Sequence, residues 1–344
     1  MTRTFRALCA ALLAAATLPG VARADAVADF FKDKRINVVV GVSAGGTYDW
    51  YARLFADHVT RYIPGNPSAI VTNMPGGGGV KAMNYLANAA PRDGTILCMP
   101  EQGIPIAKAL TGDPNLKFDV AEINWIGTVS ASHYVFGVWA TRPVKTIWDA
   151  RKVEVPMSST GKNSTTSIYP LLANYALGTK FKPVLGYKGA GDMNLAIEQG
   201  ETWGRGGTWE SYSTMTAHWI AAKKIVFILQ IATQKNPELP DVPLLVDLVK
   251  DPVKKPIVEF LSVPSQVGRS IGAPPKVPAE RVAALRKAFS EAMKDKTLLD
   301  EATKHKLRIT GESGEQLQAL MVKVEKTPAD MVERIRAAVG VKAH

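Results

Sequence analysis

Three times along this chain a short β-branched run stops at a cluster of glycine and small hydroxyl residues, where a helical repeat begins. Residues 36–42 (INVVVGV) lead into Ser43-Ala44-Gly45-Gly46-Thr47, residues 69–71 into 75–79 (PGGGG), and residues 153–157 into 158–166 (SSTGKNSTT). After the first junction Tyr51, Leu54, Phe55, His58, Val59 and Tyr62 recur at helical spacing, and Met83, Leu86 and Ala90 do so after the second. This alternation predicts an α/β architecture on parallel sheet. Each junction aims backbone N–H groups and the positive end of a helix dipole at the space above the sheet, where a carboxylate is a natural occupant. A tight turn with a helix cap explains any one junction alone. Two of them from different domains facing one cleft would point to an anion site.

Further strands are expected at 95–99 (TILCM) and 225–231, and two more within 125–140, where Ser130-Ala131-Ser132 marks a crossover. Val282, Leu285, Phe289 and Met293 define an amphipathic helix near the C-terminus, and 315–324 resembles it. The 344 residues suggest two domains, and 46% hydrophobic with 21% charged residues excludes disordered and fibrous classes.

Residues 1–24 read as a signal peptide. Arg3 and Arg6 precede an apolar run at 7–18, and Ala22-Arg23-Ala24 supplies the cleavage site. The run is short of the roughly 20 residues that span a bilayer. Cleavage after Ala24 predicts a secreted, periplasmic protein and removes Cys9, leaving Cys98 without an intramolecular partner. It also removes three arginines, lowering the net charge from +11 to +8. The charges are scattered and no nucleic-acid motif is present, so a small organic anion is the better partner. Dispersed histidines and one thiol offer no metal-ligand spacing, and Gly204-Arg205-Gly206-Gly207 lacks dinucleotide spacing, so neither metal nor cofactor is expected.

Two other features carry chemistry. In 200–212 (GETWGRGGTWESY), Trp203, Trp209 and Tyr212 crowd Arg205 and Glu210. Aromatic walls with one fixed cation suit an organic anion with an apolar body, though aromatic packing beside a solvated arginine reads equally well. Gly41-Val42-Ser43-Ala44-Gly45 matches the G-x-S-x-G nucleophile elbow, which makes a secreted serine hydrolase using Ser43 the alternative function. In that fold several strands precede the elbow, whereas 18 residues separate Ala24 from Ser43. His133, His218 and His305 follow it without a context that marks any as a base.

The ordered set of motifs resembles the substrate-binding receptors of tripartite tricarboxylate transporters, the Bug or TctC family. The stretch 41–53 (GVSAGGTYDWYAR) is similar to the family's P-F-x-A-G-G-x-x-D-x-x-A-R, 71–79 (VTNMPGGGG) to V-x-N-x-P-G-A-G-G, and 90–97 (APRDGTIL) to A-x-P-D-G-Y-T-L. Later, 159–164 (STGKNS) is similar to S-x-G-x-G-S, 187–191 (YKGAG) to Y-K-G-x-G, and 240–244 (PDVPL) to P-D-V-P-T-L.

The resemblance implies a type II periplasmic-binding-protein fold, with two Rossmann-like α/β lobes around a ligand cleft. One lobe would comprise 25–130 and 233–344, the other 131–232. It implies a monomeric, non-enzymatic solute receptor that delivers a small organic carboxylate, a dicarboxylate or aromatic acid, to a cognate membrane permease. The ligand carboxylate would lie on two loops. The first holds Ser43, Ala44, Gly45, Gly46, Thr47 and Asp49; the second holds Ser159, Thr160, Gly161, Asn163, Ser164 and Thr165, with Gly189 beside them. Trp203, Arg205 and Trp209 would line the far end. Asp49 stays ambiguous, because an acid in the first helical turn suits the dipole without any ligand. Asn163, Ser167, Gly41 and Asp192 depart from the family's usual glycine, histidine, proline and proline, which bears on ligand identity.

Overall fold

The structure, a computed structural model, describes residues 26–340; the expected signal peptide and Cys9 lie outside the described residues. Strand β1 (Arg35–Val40) continues the apolar run of the first junction. Ile36, Val38, Val39 and Val40 are all buried, as both faces of a central strand must be. One face packs on Tyr51 and Phe55 of helix Thr47–Val59 and on Phe289 of helix Ala279–Ala292. The other face, through Val39, joins Met83 and Leu86 of helix Val80–Asn88.

β1 pairs in parallel with β2 (Ser68–Asn73) and β3 (Ile96–Met99). β4 (Asn124–Thr128) ends the chain's first passage through this sheet. The chain then builds a second sheet from β5 (Tyr134–Trp139), β6 (Val155–Ser159), β7 (Phe181–Leu185), β8 (Gly204–Thr208) and β9 (Ile225–Ile231). It returns as β10 (Ser270–Ala273), which inserts antiparallel between β3 and β4, and β11 (Glu312–Ser313) adds to the edge of β4. The six-stranded sheet therefore runs β11-β4-β10-β3-β1-β2, and the five-stranded sheet runs β7-β6-β8-β5-β9. Both sheets are mixed: the expected parallel pairs, β1 with β2 and β3, and β6 with β7 and β8, are joined by antiparallel ones. β10 enters from the opposite end because the chain comes back from the other sheet, and β5 lies antiparallel to β8 and β9.

β8 has no apolar pattern (GRGGT), yet every residue of it is buried. Glycine is needed there because aromatic rings lie on the strand. A Cβ on Gly206 would stand 2.4 Å from the Tyr134 hydroxyl, and one on Gly137 of β5 would stand 2.7 Å from the Tyr212 hydroxyl. The rings supply the bulk that strand side chains usually supply.

Candidate ligand site

Helices Thr47–Val59 and Thr165–Leu177, each 13 residues long, rise from the ends of β1 and β6, in different sheets. Their N-termini meet at one cavity of about 60 Å³. Ser43, Gly46 and Thr47 line it from the first, Thr160, Thr165 and Thr166 from the second, and Gly189 from the start of helix Ala190–Glu198. Gly46 is the N-cap of the first helix and brings no side chain to satisfy its N–H groups, so that helix end is open to a ligand.

The second helix end is already engaged. Glu101, in the turn after β3, is 5% exposed and lines the cavity. Its carboxyl accepts from the Thr165 hydroxyl, from the Thr165 amide at 3.4 Å and from the Gly103 amide at 2.9 Å. Burial pushes the Glu101 carboxyl up to about 7, against the pull of these bonds.

Two buried guanidiniums border the same space. Arg269, just before β10, donates through Nη2 to Thr208 at 2.8 Å and Thr47 at 3.2 Å, and through Nη1 to Gln102 at 3.4 Å. Arg205, on β8, donates to Asn194 at 2.7 Å and Ser211 at 3.1 Å, with its guanidinium 4.0 Å over the Tyr212 ring. An uncompensated cation inside a protein is costly, so an anion is the ligand chemistry such a cavity favours.

The sequence profile of the tripartite tricarboxylate transporter family receptor (TctC) matches residues 52–336. The chain belongs to this receptor family. A UPF0065 protein in the gbd 5′ region of Cupriavidus necator is 27% identical over 237 residues, spanning 65% of this receptor and 67% of that relative. Among solved structures, the periplasmic binding protein BugD superposes with a TM-score of 0.72 at 18% identity, over 91% of this chain and 100% of that one. MatC from Rhodopseudomonas palustris with bound malate gives 0.69 at 21%, over 87% and 99%. An R. palustris protein with adipate gives 0.70 at 18%, over 90% and 98%. These likenesses establish the two-lobed periplasmic-binding-protein fold.

In this receptor the remaining predicted site residues do other work. The Asp49 carboxylate turns back on its own loop, accepting from the Gly45 amide at 3.1 Å and from Arg53 twice at 3.0 Å. Burial pushes this carboxyl up, but the bonds from Arg53 and Gly45 outweigh it and hold it below the ordinary range. Asp49 thus orders the turn containing Ala44 and Gly45, and none of the three lines the cavity. Ser159 bonds Thr166 at 2.8 Å and Ser167 at 2.6 Å, and Ser164 donates to the Gly161 carbonyl at 2.8 Å, so both hydroxyls brace their loop. Asn163 donates to Asp113 at 2.7 Å beside Lys162 at 2.8 Å. Gly161 lies against backbone, where a Cβ would be 2.8 Å from Gly77 and Gly78. The PGGGG turn is therefore the surface on which the second loop sits, not a third anion junction.

Trp203 and Trp209 stand away from the cavity. They flank the two ends of β8, and between them Arg205, Gly206, Gly207 and Thr208 reach the space. Trp203 packs on the core beneath Arg142, 5.5 Å away, and Trp209 meets Phe227 edge-on at 5.4 Å.

Ser43 sits after β1 with its amide donating to the Lys188 carbonyl at 3.1 Å. The histidines lie elsewhere: His133 in a hollow with Gln266 and Gln316, His218 beside Glu198, and His305 in a hollow with Trp50 and Asp57.

Sequence reasoning missed Glu101, Gln102 and Arg269, which lie outside the glycine-rich junctions. Their signal was a charged or amide side chain inside an otherwise apolar or small stretch, as in 267–271 (VGRSI).

Proposed function

We propose that this receptor is exported to the periplasm and, as a monomer, captures a small organic carboxylate for a cognate tripartite tricarboxylate permease. The carrying observation is the open N-terminus of the first helix beside two buried guanidiniums, on one cavity between the two sheets. Helix ends and arginines both favour an anionic ligand. The solved relatives with malate and adipate are consistent with that chemistry. With Trp203 and Trp209 turned away, a compact acid suits about 60 Å³ better than an aromatic one.

The lobes proposed are 25–130 with 233–344, and 131–232, hinged where the chain crosses between sheets. Closure would be held by contacts that join them: Asn163 to Asp113, Arg269 to Thr208 and Thr165 to Glu101. A ligand that bridges both loops binds the closed form better and shifts the population toward it, giving the permease a surface to read.

The test is a thermal-shift screen of the secreted chain against carboxylates and their neutral esters. At 100 times its Kd a true ligand stabilises the native state by about 2.7 kcal/mol. Esterification should abolish the shift. Ester turnover that disappears in Ser43→Ala would instead establish the hydrolase.

A further inference from the structure

We infer that Arg269, Gln102 and Tyr134 form a single acid-group subsite and that Glu101 bars a second acid group, so that the receptor selects monocarboxylates. The inference rests on the carboxylate-receptor reading above and narrows it.

Three residues that line this cavity each carry a buried donor without a protein acceptor: Arg269 Nε, Gln102 Nε2 and Tyr134 Oη. Their residues are between 0% and 2% exposed. Buried donors are nearly always paired, so three unpaired ones around one space call for an acceptor-rich ligand. The orientation of the Gln102 amide is fixed by its neighbours. Its Oε1 accepts from the Ser132 hydroxyl at 2.6 Å and from Arg269 at 3.4 Å, which leaves Nε2 as the free group. Arg269 also touches Thr47 at the open end of the first helix, so guanidinium and helix dipole act on the same acid group.

A second acid group finds no second set of unpaired side-chain donors among the described residues lining the cavity: each Arg205 nitrogen already has a protein partner, in Asn194, Ser211 and the Gly206 carbonyl. The second helix end holds the Glu101 carboxyl, which takes up the Thr165 amide and hydroxyl that a second carboxylate would need.

The test is calorimetric titration of the full secreted chain with butyrate and hexanoate, with the diacids succinate and adipate, and with the methyl esters of butyrate and hexanoate. Gln102→Glu keeps the acceptor used by Ser132 and Arg269 but turns the free donor into an anionic oxygen. Glu101→Gln replaces an acceptor oxygen at the second helix end with an amide donor. We expect the parent to bind a monocarboxylate at least tenfold more tightly than the diacid of equal length. Gln102→Glu should lose at least tenfold for monocarboxylates while unfolding at the parent temperature, and Glu101→Gln should narrow the discrimination against diacids. Diacids binding as tightly as monocarboxylates in the parent, or Gln102→Glu binding like the parent, would overturn the inference while leaving the carboxylate receptor intact. If Gln102→Glu misfolds, Tyr134→Phe must show the loss instead. If no carboxylate binds more tightly than its ester, the receptor reading fails with it.

Discussion

Arg269 lies over the Tyr48 ring, its guanidinium carbon 4.1 Å from the ring centre, and from there reaches Thr208 on the other sheet at 2.8 Å. One side chain thus fixes the first helix, which carries Tyr48, and ties it to β8. The stack holds the guanidinium plane so that its fork can serve both lobes at once.

Arg269→Lys should expose that dependence. Lysine keeps the charge but has neither the planar face nor the fork, so Thr208, Thr47 and Gln102 lose donors in a buried site. Unpaired buried groups cost about 1–3 kcal/mol. Urea unfolding should report a loss of that size; an unchanged midpoint would show that the stack contributes nothing.

Glu101 should make stability fall as pH rises. Its carboxyl is raised from the ordinary 4.5 to about 7 by burial, so between those values the folded chain holds a proton that the unfolded chain has released. Stability therefore declines across that window and levels off above it, with a total loss of about 3 kcal/mol. The difference between parent and Glu101→Gln, followed by urea unfolding from pH 4 to 8, should trace this slope. Parallel curves would rule it out.

Gly161→Ala should impair closure rather than folding. The new methyl would meet the Gly77–Gly78 backbone at 2.8 Å, a contact between loops that the proposed opening of the lobes would part. Overpacking of this kind costs about 1–3 kcal/mol. Because only the closed form carries it, the loss should appear as roughly 5- to 150-fold weaker ligand binding with an unchanged unfolding temperature without ligand. A lowered unfolding temperature with full affinity would show the opposite.

Cys98 should be inert in the native protein. It lies fully buried in β3, and burial pushes its thiol up to about 12. Iodoacetamide at pH 8 should leave it unmodified until denaturant is added, and native labelling at a rate near that of a free thiol would contradict the structure.

The sequence by itself determined the elements whose signals are local. β-branched runs at β1, β3 and β9 marked strands, small residues at 43–47 and 158–166 marked helix entries, and the ordered motifs pointed to the receptor family. Those signals survive because a strand buried on both faces must be apolar, and a turn into a helix needs glycine or hydroxyl residues. The tertiary structure alone decided the rest. It showed that β8 is a buried strand, since the ring of Tyr134, distant in sequence, lies on Gly206 while Tyr212 folds back from the next helix toward Gly207. It left Trp203 and Trp209 outside the cavity and brought in Glu101, Gln102 and Arg269, which are scattered over 168 positions and meet because β10 inserts beside β3. Their roles depend on burial and on partners across the cavity, and neither is written in the spacing of residues along one chain.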